Sequence, residues 1–237
     1  LDLNFFKKPV YQITDNHTLD KSLKVLLSVL LYAYLFLSIN YLFISAVDFI
    51  IKYEFKFSFL HLIDKLQDTQ SKGYKNILYI LILAPIFEEL MFRLPLKFNR
   101  LNLLIAILTF YFSFYLSYNH FLESFWGLQL LKTILIVVLC WFIVFHVFKI
   151  SFYKSVSTKY FGLLFYILAI IFGLLHITNF IEYVPNNLIF YSPIFAFHQI
   201  ISGLFLGYIR VKKGLIWSII LHACFNLPAA IHYFLIL

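Results

Sequence analysis

Seven runs of about 17 to 25 apolar residues, divided by short polar connections, constrain this chain more than any motif within it. A helix needs about 20 residues, at 1.5 Å each, to cross roughly 30 Å of hydrocarbon. Backbone in lipid must satisfy its own hydrogen bonds, and a single span does so only as a helix. The chain is therefore expected to be all-α and polytopic, with about seven transmembrane helices. Their expected bounds are 23–50, 76–96, 101–118, 128–148, 160–181, 190–209 and from 215 onward. With 62% hydrophobic and only 13% charged residues, a soluble domain is excluded, since such a domain is about one quarter charged. One integral membrane domain over 1–237 is expected. It has a polar N-terminal tail over 1–22 with a short interfacial piece, and Phe55, Phe57, Phe59 and Leu60 of the 52–75 connection are expected at the interface. Residues 1–22 lack an apolar core, so no cleavable signal is expected there.

The stretch Ala84 to Arg93 places Glu88 and Glu89 inside one of these spans. An acidic side chain at a helix centre costs about 2.5 to 3.5 kcal/mol, so two adjacent ones call for a function. Glu89 precedes Arg93 by four residues, the spacing of an ion pair along a helix. Glu88 points about 100° away from Glu89 and is left to face a cavity without that counter-charge. Pro85, one turn earlier, lacks an N–H, so the helix should kink before Glu88 and free a carbonyl.

The other polar groups within spans are His176, His198, His222 and Asn226. His176 follows Phe172 by four residues and Asn226 follows His222 by four, so each pair shares a helix face. His198 has no such partner, and packing explains it as well as an accessory role does. Gly203 and Gly207 have the spacing that lets two helix backbones approach. Cys140 and Cys224 lie in apolar runs and read as small buried side chains, not as a disulfide or a metal site.

Glu-Glu-x-x-x-Arg, then Phe-x-x-x-His, then His-x-x-x-Asn, each in a span and in this order, resembles the CAAX protease and bacteriocin-processing (CPBP) family of intramembrane glutamic endopeptidases. The run Gly203 to Arg210, continuing from Lys213 to Asn226, also resembles that family's approach to its last motif. The resemblance covers a core of 77–98 and 160–228, between which 101–148 is an inserted helix pair. It implies an intramembrane peptidase that splits a peptide bond with a glutamate-activated water. Glu88 would be general base, and His176 would help hold the water. His222 and Asn226 would donate to the tetrahedral oxyanion, and Glu89 with Arg93 would brace the site.

No cofactor is expected. Glu88, His176 and His222 together would hold zinc in the metal-dependent alternative, but Asn226 is a poor zinc ligand and a good oxyanion donor. A proton-coupled transporter would show inverted repeats or paired broken helices, and neither is visible. The non-catalytic alternative is a CPBP-like membrane subunit that acts as a scaffold, docking a complex partner through the inserted helices.

The expected partners are the lipid bilayer and a peptide or membrane-attached protein substrate. The net charge of +8 is scattered over the loops without a basic arm, so nucleic acid is not expected. Thirteen of the 19 Lys and Arg residues fall on the side of the tail and of the loops after the second, fourth and sixth spans. The positive-inside rule then places the N-terminus in the cytoplasm. Richness in Phe, Tyr, Ile, Lys and Asn fits AT-rich codons and a bacterial inner membrane. That source argues against the prenylated substrates that the resemblance attaches to eukaryotic members.

Overall fold

The computed structural model describes residues 2–11, 19–70, 77–118 and 128–236, and every regular element among them is helical. In chain order the α-helices are α1 (Leu3–Lys7), α2 (Leu19–Phe55), α3 (Phe59–Gln70), α4 (Ala84–Phe92), α5 (Arg100–Tyr118) and α6 (Leu128–Phe142). They continue with α7 (Ile150–Thr158), α8 (Phe161–Leu175), α9 (Ser192–Phe195), α10 (Phe197–Lys213) and α11 (Leu215–Ile236). Each of the seven apolar runs is helical over most of its described residues, the α-helix of the fifth ending at Leu175 rather than at 181. Among the described residues, four helices are long and apolar enough to cross a membrane, namely Leu19–Phe55, Leu130–Val147, Phe161–Asn179 and Asn186–Lys213. Arg100–Phe114 and Leu215–Ile231 are shorter apolar helices. The chain is an integral, all-α polytopic membrane protein. Residues 12–18 of the expected tail, and the expected start of the second span at Asn76, lie outside the described residues.

The sixth helix begins at Phe197, not at 190, and reaches Lys213. Before it, 176–191 winds in 3₁₀ turns followed by the single turn of α9. Pro185 and Pro193 each withhold an N–H from this stretch, so the span Asn186–Lys213 begins in 3₁₀ winding and is not one continuous α-helix. Gly214, at φ +102°, ends α10, and α11 turns back directly.

The connection after α2 holds a helix that alternation alone did not announce. Asp48, buried near the end of α2, accepts from the backbone N–H of Phe59 at 2.7 Å and of Leu60 at 3.3 Å, and from the Ser58 hydroxyl at 2.7 Å. A carboxylate so placed satisfies the first orphan donors of α3. Phe59 is consequently fully buried and stacked on Phe195 at 4.2 Å, where an interfacial position was expected. With Ile44, Ile51, Phe180, Val184 and Leu188 these rings form a small core that roofs one end of the bundle.

The main core lies toward the other end, where α8, α10 and α2 meet. Small residues set the approach of α8 to α10. A Cβ on Gly173 would stand 2.6 Å from the Ile200 backbone nitrogen, and one on Gly203 would stand 3.1 Å from the Ala169 carbonyl. The tail contributes to this core as well. Phe5 of α1 is buried against Phe165 and Tyr208, and the Tyr166 hydroxyl donates to the Phe6 carbonyl. The pair α5 and α6 stands beside α4, and only 6% of Leu130–Val147 is buried.

Candidate active site

The second span changes register before it reaches the glutamates. Residues 79–83 form a π-turn, in which the Ala84 N–H bonds to the Tyr79 carbonyl five residues back. The next donor in that register would serve the Ile80 carbonyl, but it belongs to Pro85 and does not exist. Asn226, arriving from α11, fills the gap: its side-chain amide donates to the Ile80 carbonyl at 2.9 Å. The carbonyl freed by the proline is thus what fixes the last residue of the His-x-x-x-Asn pair.

α4 then separates its two carboxylates. Glu89 is fully buried, and its Oε1 lies 3.5 Å from Arg93 Nε, as the i,i+4 spacing predicts. His222 donates from Nδ1 to the same oxygen at 3.0 Å. The Ser218 hydroxyl donates to Glu89 Oε2 and also reaches the Leu206 carbonyl at 3.0 Å. A carboxylate in an apolar bundle is tolerable only with such partners. The far side of Arg93 is tied as well, because Arg210 Nε donates to the Arg93 carbonyl at 3.0 Å.

Glu88 faces two imidazoles. Its Oε2 lies 3.6 Å from His222 Nε2 and 4.0 Å from His176 Nε2, and has no hydrogen-bond partner among the described residues. By position along their helices, His176 should stand well beyond His222, since it follows the whole of α8 while His222 is only seven residues into α11. The two rings nonetheless meet at Glu88. The His176 N–H turns to the Gly173 carbonyl as α8 tightens into 3₁₀, which leaves the Phe172 carbonyl for the ring. His176 Nδ1 donates to it at 2.8 Å, so the imidazole folds back along the helix toward Glu88.

Phe172 organises the cluster. The Arg93 guanidinium lies over its face at 3.9 Å, and its ring meets those of His176 and His222 edge-on at 4.9 and 5.8 Å. The Arg93 Nη atoms have no hydrogen-bond acceptor among the described residues and rest on this π-face instead. Sequence reasoning read Phe172 only as part of a spacing and gave Ser218 no role. Ser218 precedes His222 by four residues, so the shared helix face was the signal available.

Two large cavities flank the cluster. One, of about 730 Å³, is walled by α2, α3, α10 and α11 and reaches His198, His222 and Asn226. The other, of about 640 Å³, lies between α4 and α5 and reaches Glu88 beside Thr109 and Ser113. His198 is not in the carboxylate cluster. It donates from Nδ1 to the Phe195 carbonyl at 2.9 Å and lines both the larger cavity and a pocket of about 110 Å³ shared with His176. Cys224 and Cys140 are both free thiols. Among the described residues no three His, Cys, Asp or Glu side chains are grouped as a ready metal site.

The arrangement thus joins an acceptor oxygen, two imidazoles and an amide from three different helices, beside space for a peptide. A family model described as type II CAAX prenyl endopeptidase Rce1-like matches residues 71–228, the stretch that holds all of these groups. No curated protein and no solved structure gives a match.

Proposed function

Because the chain belongs to the Rce1-like family of type II CAAX prenyl endopeptidases, matched over about two thirds of its length, we propose that it is an intramembrane endopeptidase that hydrolyses a peptide bond with a Glu88-activated water. The observation that carries this reading is the convergence of Glu88 Oε2 with His222 Nε2 at 3.6 Å and His176 Nε2 at 4.0 Å. Water held between Glu88 and His176 gives a proton to Glu88 as its oxygen attacks the peptide carbonyl. The resulting oxyanion accepts from Nε2–H of His222 in its doubly protonated form, whose Nδ1–H is held by the Glu89 carboxylate. It also accepts from the Asn226 amide N–H that Ile80 does not use. Glu88 then passes its proton to the leaving nitrogen, the bond breaks, and the free carboxylate is restored. Glu89, Arg93 and Phe172 act as positioning residues.

The substrate is a peptide or a membrane-attached protein, and the setting a bacterial inner membrane with the N-terminus in the cytoplasm. The proposed hydrolysis uses no metal, because an amide at the fourth position suits an oxyanion better than zinc. Comparing Glu88→Gln with wild type for release of peptides from membranes tests the proposal. Loss of release, with insertion and thermal stability intact, is the expected outcome. A variant as active as wild type refutes it.

A second reading is favoured by the exposure of α6: a catalytically silent subunit that docks a protein partner through the inserted pair. Under that reading Glu88→Gln leaves the cellular phenotype unchanged, whereas polar substitutions along the exposed face of α6 abolish it.

A further inference from the structure

We infer that the cavity between α4 and α5 is a substrate subsite. The peptide chain beside the scissile bond lies against α5 there, gives a main-chain N–H to Thr109 and lodges a bulky apolar side chain between the two helices. The inference rests on the peptidase reading above, since it names what that site would hold.

α5 belongs to the stretch between the Glu88 and His176 motifs, yet it supplies one wall of the space around Glu88. Ala84, Phe87, Glu88 and Met91 recur at i, i+3, i+4 and i+7 along α4 and so share one face. Ile105, Leu108, Thr109, Phe112 and Ser113 recur in the same way along α5, on the other side of the cavity of about 640 Å³. Glu88 joins this space to the imidazole cluster. Its Oε2 is buried near His176 and His222, whereas its side chain as a whole is 26% exposed, so the rest of that side chain opens on the cavity. An extended chain advances about 3.3 Å per residue, so the residues flanking a bond held at Glu88 reach α5 within a few steps.

The polar groups of this wall select the occupant. The Thr109 hydroxyl donates its only hydrogen to the Ile105 carbonyl at 2.8 Å, which leaves it lone pairs to offer the cavity. The Glu88 carboxylate is an acceptor too. Such a wall suits a donor, and the donor that every peptide carries is its main-chain N–H. A lipid acyl chain has none and would leave these oxygens unpaired in hydrocarbon. Phe87, Met91, Leu108 and Phe112 make the remainder apolar, and a methionine among them adapts to irregular shapes. Such a surface takes an aromatic or branched aliphatic side chain and fixes its orientation through the few polar groups beside it.

Full-length protein carrying Glu88→Gln in proteoliposomes tests occupancy without turnover. The probes are a leucine-alanine peptide with one central benzoylphenylalanine and a phosphatidylglycerol with a diazirine in its acyl chain. Photocrosslinking of the peptide to α4 and α5, mapped by mass spectrometry, is the expected result. Adding Thr109→Val should lower that yield about fivefold, as loss of one hydrogen bond does, with recovery in Thr109→Ser and no change in phospholipid labelling. Leu108→Trp, which fills the cavity, should abolish the peptide crosslink. Peptide crosslinks confined to other helices, a yield unchanged by Thr109→Val, or labelling of the cavity by the phospholipid alone overturns the inference. In protein with Glu88 intact, Leu108→Trp should shift the released peptides toward small residues at one fixed position beside the cut, and an unchanged distribution overturns it as well. Wild type that releases no more peptide than Glu88→Gln would sink the peptidase reading alone, because the crosslink does not require turnover.

Discussion

The guanidinium of Arg93 rests 3.9 Å above the ring of Phe172, in a protein interior where its Nη atoms have no hydrogen-bond acceptor among the described residues. The ring therefore supplies what a second carboxylate would otherwise have to supply. Phe172→Leu keeps an apolar side chain but removes the π-face, which is worth about 0.5 to 2 kcal/mol when desolvated. A lowered unfolding temperature in detergent is expected, together with reduced hydrolysis, because His176 and His222 both lean on that ring. Equal stability and activity in the two proteins would show the ring to be dispensable.

Glu88 and Glu89 are adjacent but should fail differently. Glu89→Gln leaves Arg93 as a buried charge without its counter-ion, a loss of about 3 to 5 kcal/mol when one partner of a buried pair is removed. Poor membrane accumulation and early thermal unfolding are expected for Glu89→Gln. Glu88→Gln should unfold within a degree or two of wild type and lose only turnover. Thermal scans of the two purified variants check the contrast.

Gly173 leaves no room for a side chain, since a Cβ there would stand 2.6 Å from the Ile200 nitrogen. Gly173→Ala must push α8 away from α10, and overpacking of this kind costs about 1 to 3 kcal/mol. His176 moves with α8, so activity should fall more than stability alone predicts. Ser202→Ala, which removes only a hydroxyl bonded to the His198 carbonyl at 3.0 Å, is the control expected to retain both.

Asp48→Ala removes the acceptor that starts α3, a loss of about 1 to 2 kcal/mol for an N-cap. Faster hydrogen exchange at Phe59 to Ile63 is the expected signature, with the second core around Phe195 loosened. Exchange as slow as in wild type would mean that the stacking of Phe59 on Phe195 suffices to hold the helix.

Exhaustive chelation with metal analysis separates the two chemistries open to Glu88, His176 and His222. Retained hydrolysis in metal-free protein is expected. Stoichiometric zinc whose removal abolishes activity would replace the metal-free mechanism.

Much of this fold was legible because hydrocarbon imposes length and polarity on a span, and the seven apolar runs are helical over most of their described residues. The grouping of Glu89 with Arg93 followed from helical spacing alone. Three features were not legible, each for a physical reason. Asp48 lies near the end of an apolar run, and its capping of α3 depends on a chain reversal at Lys56, which takes φ 56°. The burial of Phe5 and Phe59 depends on where short amphipathic pieces fold back, which periodicity does not encode. The meeting of His176 with His222 at Glu88 depends on the relative placement of α4, α8 and α11 and on the bond of the His176 ring to the Phe172 carbonyl, neither of which a pattern of apolar residues records.

The contact between Asn226 and the Ile80 carbonyl exists because Pro85 cannot donate. Pro85→Ala would restore an N–H, tighten the span and improve its internal bonding. It would also give the Ile80 carbonyl a competing donor and release the Asn226 amide. Local helix quality and fitness of the site are thus in opposition at this position, so a search for hardier variants should be drawn to a substitution there that disarms the protein.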